Sequence, residues 1–162
     1  MRKYLHGNIN EEAVRGLLRS LDDRTKVYFG CDSTRFKSKG RWYAEYTTVL
    51  VVHKNGRHGC KIFARVDREQ DFDQKASRPF NRMMNEATRV AELYLEYEDM
   101  MYEFGLDNEI HLDINKDDIH GSSVAVQAAS GYVRGTCNVV PILKPTAYAA
   151  SYAADRGRRL TG

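Results

Sequence analysis

The chain is short of the features that mark secreted, membrane-spanning and zinc-stabilised proteins. It has three cysteines, Cys31, Cys60 and Cys137, an odd number with no C-x-x-C spacing. That speaks against a disulfide framework and against a cysteine zinc site, and leaves reduced thiols in a cytoplasmic protein as the expectation. No apolar run reaches the ~18 residues of a membrane-crossing helix, so no membrane partner is expected. The opening "MRKYLHGNINEEAV" has basic residues but lacks the apolar segment of a secretory signal. A dominant charge is missing too: 25 Lys and Arg against 22 Asp and Glu give a net charge of +3. Any nucleic-acid contact therefore has to come from local patches. Repeats, low-complexity tracts and linkers are also absent.

What is present suits one domain. The 162 residues are 42% hydrophobic and 29% charged, enough for one core. We expect a single domain over residues 1–162, with residues 1–24 as an N-terminal helical extension. Asn10 can cap a helix whose Ala13, Val14, Leu17, Leu18 and Leu21 recur at helical spacing. "KVYFGC" reads as a strand, "FKSKG" as a turn and "RWYAEYTTVLVVHK" as a second strand. "NGRHG" is a hairpin turn before a third strand, "CKIFARV". Ser77 and Pro79 sit where a long helix from Phe80 to Phe104 can begin, and Gly105 stops it. "EIHLDIN" is a fourth strand. "GSSVAVQAASGYVRG" is a helix capped by Ser122 or Ser123 and ended by Gly135. "NVVPIL" is a fifth strand and "TAYAASYAADRGRR" a final helix. The order predicts an α/β fold: a mixed five-stranded sheet, three strands antiparallel and then two parallel, with helices on both faces.

Four carboxylates stand out against this pattern. Side chains alternate along a strand, so Asp32 shares a face with Tyr28 and Gly30, and Asp113 shares one with Glu109 and His111. Each is expected to close its strand, and ligands of open α/β sheets gather at such C-terminal ends. On the long helix Glu86 falls about 60° from Met83, within a wide apolar arc. Glu92, Glu96 and Asp99 point to the far side. Asp155 shares a helix face with Tyr148, Ser151 and Tyr152. Singly, each has an ordinary explanation as a turn former, a snorkelling surface acid or a surface ion pair. Jointly they fit one point where several carboxylates converge, which repel unless a cation lies between them. An all-oxygen set points to Mg²⁺ or Mn²⁺. "DINKDDIHGSSV" opens like an EF-hand at Asp113, Asn115 and Asp117, but Asp118 stands where glycine is needed and Val124 where glutamate is needed.

The segments "GCDSTR", "RMMNEA", "EIHLDIN" and "KPTAYAASYAADR" resemble the YkuK-like family of predicted ribonuclease H-like nucleases, over roughly Lys26 to Asp155. The resemblance implies the ribonuclease H-like fold, with the first and fourth of the five strands adjacent. It implies a two-metal nuclease acting on RNA, DNA or a hybrid, in which Asp32 bridges two ions, Glu86 and Asp113 complete one site and Asp155 the other. The alternative is a module of the same fold that binds nucleic acid or a protein partner without catalysis.

Around these acids lie candidate contacts. His111 is either a proton-transfer group or a structural histidine. Arg35, Lys37, Lys39 and Arg41 follow Asp32, interleaved with Phe36, Trp42 and Tyr43. Arg156, Arg158 and Arg159 follow Asp155. Lys144 precedes Pro145. Arg35, Lys37, Lys39, Lys144 and Arg156 are the candidate contacts to a nucleic-acid backbone, and otherwise a solvated hairpin tip, strand end and tail.

Overall fold

The structure is a computed structural model and describes residues 5–21, 24–54, 59–73, 80–115 and 123–144. A short strand, β1 (Leu5–Asn8), leads into helix α1 (Glu11–Leu18). The Asn10 side chain accepts a hydrogen bond from the Ala13 amide at 3.0 Å, which satisfies one of the free donors of the first turn.

Strands β2 (Lys26–Ser38), β3 (Arg41–His53) and β4 (Cys60–Gln70) form an antiparallel meander. β2 runs well past the expected end at Cys31. Lys39 and Gly40 both adopt left-handed backbone, with φ of 51° and 80°. That is a two-residue turn whose twist matches the strands it joins, so the ladder continues to Ser38↔Arg41. The expected five-residue turn therefore shrinks to two residues.

Helix α2 (Phe80–Phe104) crosses the sheet and ends at Gly105, with φ of 63°. The Leu106 amide reaches back to the Met101 carbonyl at 3.1 Å, a glycine-dependent helix stop. Strand β5 (Asp107–Asn115), helix α3 (Ser123–Cys137) and strand β6 (Ile142–Lys144) follow. Gly135 does not end α3. The helix runs on to Cys137 and stops where Asn138 turns left-handed at φ 56°. β6 begins only after Pro141, which cannot donate to a ladder.

The sheet order is β1-β4-β3-β2-β5-β6. All five expected strands are present, with β5 parallel to both β2 and β6. The sixth strand, β1, adds to the edge alongside β4 in parallel. The larger core lies on one face of the sheet. There Val27, Phe29, Cys31, Tyr46, Leu50 and Phe63 meet Val14 and Leu18 of α1, the buried stripe of α2 and Ala129 and Val133 of α3. Phe29 packs edge-on against Tyr94 at 5.4 Å. Burial of such a ring contributes about 1.5–3 kcal/mol, and the edge-to-face contact about 0.5–1.5 more. Tyr28, Val49, Val51, Ile62 and Ala64 form a smaller buried cluster on the opposite face. The described helices all contribute to the larger core. The final helix expected from "TAYAASYAADRGRR" lies outside the described residues, as do Ser77, Pro79, Ser122 and the centre of the "NGRHG" turn.

Candidate active site

Two parallel strands place the aspartates. β2 and β5 are joined rung by rung from Lys26↔Asp107 to Cys31↔Leu112, where the ladder ends. Cys31 and Leu112 both point into the larger core. Alternation turns the next residues, Asp32 and Asp113, to the other face. Tyr28 and His111 confirm that side, since their rings meet there at 4.9 Å. The two aspartates are thus neighbours on one face, one residue beyond the last shared rung. Asp32 does not close its strand as expected: β2 continues beside β3 for six more residues, to Ser38. What ends at Asp32 is the pairing with β5, and the sheet opens there.

Glu86 approaches from α2 on the larger-core side of the sheet, where Ser33 also points. It is 8% exposed. Burial and then the charge of Asp32 push its carboxyl up to about 8, and Asp113 pushes the same way. The Ser33 hydroxyl opposes this by donating to Glu86 Oε2 at 2.5 Å, as does the charge of Arg82. Glu86 therefore feels both aspartates, whereas Glu92, Glu96 and Asp99 on the same helix are exposed.

Sequence reasoning missed the network that holds this end of α2. Asp73 accepts from the amides of Asn81 and Arg82 at 2.8 and 3.1 Å, so it caps the first turn from outside the helix. Asp71, with its side chain fully buried, accepts from Arg35 Nε at 2.6 Å. A second Arg35 nitrogen donates to the Asp73 carbonyl at 2.7 Å. Arg82 Nε lies 3.9 Å from Asp71, and another of its nitrogens lies 3.4 Å from the Ser33 hydroxyl. The chain Arg35–Asp71–Arg82–Ser33–Glu86 thus ties the β2–β3 hairpin to the helix that carries Glu86. A pair of acids just before a helix start was its one visible signal, since such acids suit the positive end of the helix dipole.

The other candidates separate. Arg35 is committed to Asp71 and Asp73, with its side chain only 12% exposed, so it does not stand at the surface as a backbone contact. Lys37, Lys39 and Arg41 are exposed. His111 is buried, touches Glu109 at 3.1 Å and leans on the Tyr28 ring. Burial lowers its pKa, which Glu109 partly offsets. The Lys144 backbone lies level with Asn115 across the β5–β6 ladder. Asp155 and Arg156 lie outside the described residues.

Asp32, Asp113 and Glu86 present only oxygen donors, the chemistry a hard divalent cation prefers. A cation would also offset the burial, and after it the repulsion from Asp32 and Asp113, that hold Glu86 protonated. In donor type and electrostatics the residues fit such an ion. As the side chains stand, no three His, Cys, Asp or Glu among the described residues form a group that could hold one. Cys31 and Cys137 are buried free thiols, Cys60 is a partly buried one, and none of the three belongs to such a group. No helix among the described residues is long and apolar enough to cross a membrane.

No curated protein and no solved structure matches the chain. A family model described as ribonuclease H-like matches residues 10–159, nearly the whole length. With a strand order that puts β2 beside β5 and aspartates at the end of their shared ladder, the chain belongs to the ribonuclease H-like family.

Proposed function

We propose that the protein is a divalent-metal-dependent nuclease acting on RNA, DNA or their hybrid. One observation carries this reading: Asp32 and Asp113 share a face beyond the last β2–β5 rung, and both press on the buried Glu86. A surface that only binds phosphates gains nothing from two neighbouring aspartates. Asp32, Asp113 and Glu86 would hold Mg²⁺ or Mn²⁺, and Asp155 enters from the family resemblance as the residue for a second ion. When bound, such ions supply an activated water and charge stabilisation at a phosphodiester. The chain's own groups prepare the site. Ser33 orients Glu86, Arg82 and the buried Asp71 fix the start of α2, and exposed Lys37, Lys39 and Arg41 draw in the polyanion.

Labelled RNA, DNA and hybrid substrates incubated with Mn²⁺, Mg²⁺ or EDTA test this. Cleavage with metal, lost with EDTA and in both Asp32→Asn and Asp113→Asn, is the expected result. Cleavage that persists in Asp32→Asn overturns the assignment. A second reading is favoured by the lack, among the described residues, of three donors gathered to hold an ion: a ribonuclease H-like module that binds nucleic acid or a protein without cutting. Nucleic-acid binding with no cleavage under either metal would select it.

A further inference from the structure

Trp42 is the only tryptophan of the chain, and it is 40% exposed. An indole in that position would ordinarily be free to reorient. This one is fixed. The Arg35 guanidinium lies 4.1 Å from its ring centre. That guanidinium is locked by Asp71 at 2.6 Å and by the Asp73 carbonyl at 2.7 Å. The Asp71 amide in turn donates to the Trp42 carbonyl at 2.9 Å, so one residue pins both the main chain of Trp42 and the cation backing its ring. Lys37 lies 5.7 Å from the same ring, and exposed Lys39 and Arg41 complete a positive tip around it.

We propose that Trp42 is a base-stacking site for single-stranded nucleic acid, held ready by the buried Arg35–Asp71 pair. The proposal rests on the nucleic-acid half of the function above, not on its metal chemistry. An aromatic ring ordered before its ligand arrives avoids an entropy cost on binding. Nucleobases stack on such rings whatever their identity, while neighbouring lysines and arginines follow the phosphates. A duplex keeps its bases stacked on one another, so a single strand is the form that offers base faces to the indole. Arg35 then acts as a positioning residue behind Trp42 and contacts no phosphate. Through Asp71 and Arg82 the same network reaches Ser33 and Glu86, which places the stacking site on the hairpin joined to the candidate active site.

Because Trp42 is alone, tryptophan fluorescence of the full chain reports on it directly. Titrations in EDTA, which prevents turnover, would use a short oligothymidylate, an abasic strand of the same length and a blunt duplex. Saturable quenching by oligothymidylate, with little from the other two, is the expected result. Trp42→Ala should weaken oligothymidylate binding roughly tenfold or more, and Trp42→Phe should recover most of it. Equal quenching by the abasic strand, unchanged affinity of Trp42→Ala, or no binding of oligothymidylate overturns the proposal. Quenching in EDTA without any metal-dependent cleavage would defeat the nuclease reading and leave this one standing. Cleavage without quenching would do the reverse.

Discussion

Asp32 and Asp113 lie on neighbouring parallel strands, on the same face, each one residue past the Cys31↔Leu112 rung that last joins them. Two carboxylates in that relation repel, and the buried Glu86 feels both. Asp32→Asn should therefore abolish metal-dependent cleavage while leaving melting temperature in EDTA unchanged or slightly higher. A marked drop in melting temperature in EDTA would make Asp32 a structural residue instead.

Glu86 gives a pH signature. Its carboxyl is raised from 4.5 to about 8 by burial first and then by Asp32. Between those values the folded chain holds a proton that the unfolded chain has released. The contribution of Glu86 to stability is therefore full below about 4.5, falls as pH rises through that window and is lost above about 8. The loss is on the order of a few kcal/mol. Glu86→Gln should flatten this part of the pH–stability curve, measured by urea unfolding in EDTA. A variant with the same slope as wild type would mean that Glu86 is ionised in the fold at neutral pH.

The Asp71 strut predicts a larger effect on stability. Removing one partner of a buried ion pair leaves the other uncompensated, so Asp71→Ala should cost about 3–5 kcal/mol. Asp73→Ala removes a helix cap and should cost about 0.5–2 kcal/mol. Chemical denaturation of both variants checks the order. An Asp71→Ala loss below that of Asp73→Ala would show that Arg35 has another way to be satisfied.

Exposed Lys37, Lys39 and Arg41 should carry phosphate contacts. Neutralising all three should reduce the log–log salt slope of single-strand binding by roughly 2, at about 0.7 per contact. Sequence preference should not move, since phosphates carry no base information. An unchanged slope would place the backbone path elsewhere.

Much of this was legible in the sequence, because it depended on local periodicity. Strand alternation put Asp32 with Tyr28 and Asp113 with His111, and the helical wheel set Glu86 apart from Glu92 and Glu96. The missing parts depend on partners far away in the chain. Arg35 and Asp71 are 36 residues apart, and nothing near Arg35 distinguishes a buried strut from a hairpin cation. Lys39 at φ 51° hid the true length of β2, because a lysine rarely signals a left-handed turn. Four-residue β1 is too short to show a period of its own. Gly135 lies inside α3 instead of ending it, and a glycine inside a helix looks the same in sequence as one that ends it.

Anomalous diffraction from crystals of the full chain soaked with Mn²⁺ would locate the ion. The expected result is a peak contacted by Asp32 and Asp113, with Glu86 beside it, and no such peak in Asp32→Asn. Mn²⁺ bound only elsewhere, or none at the end of the β2–β5 ladder in the wild type, would contradict it.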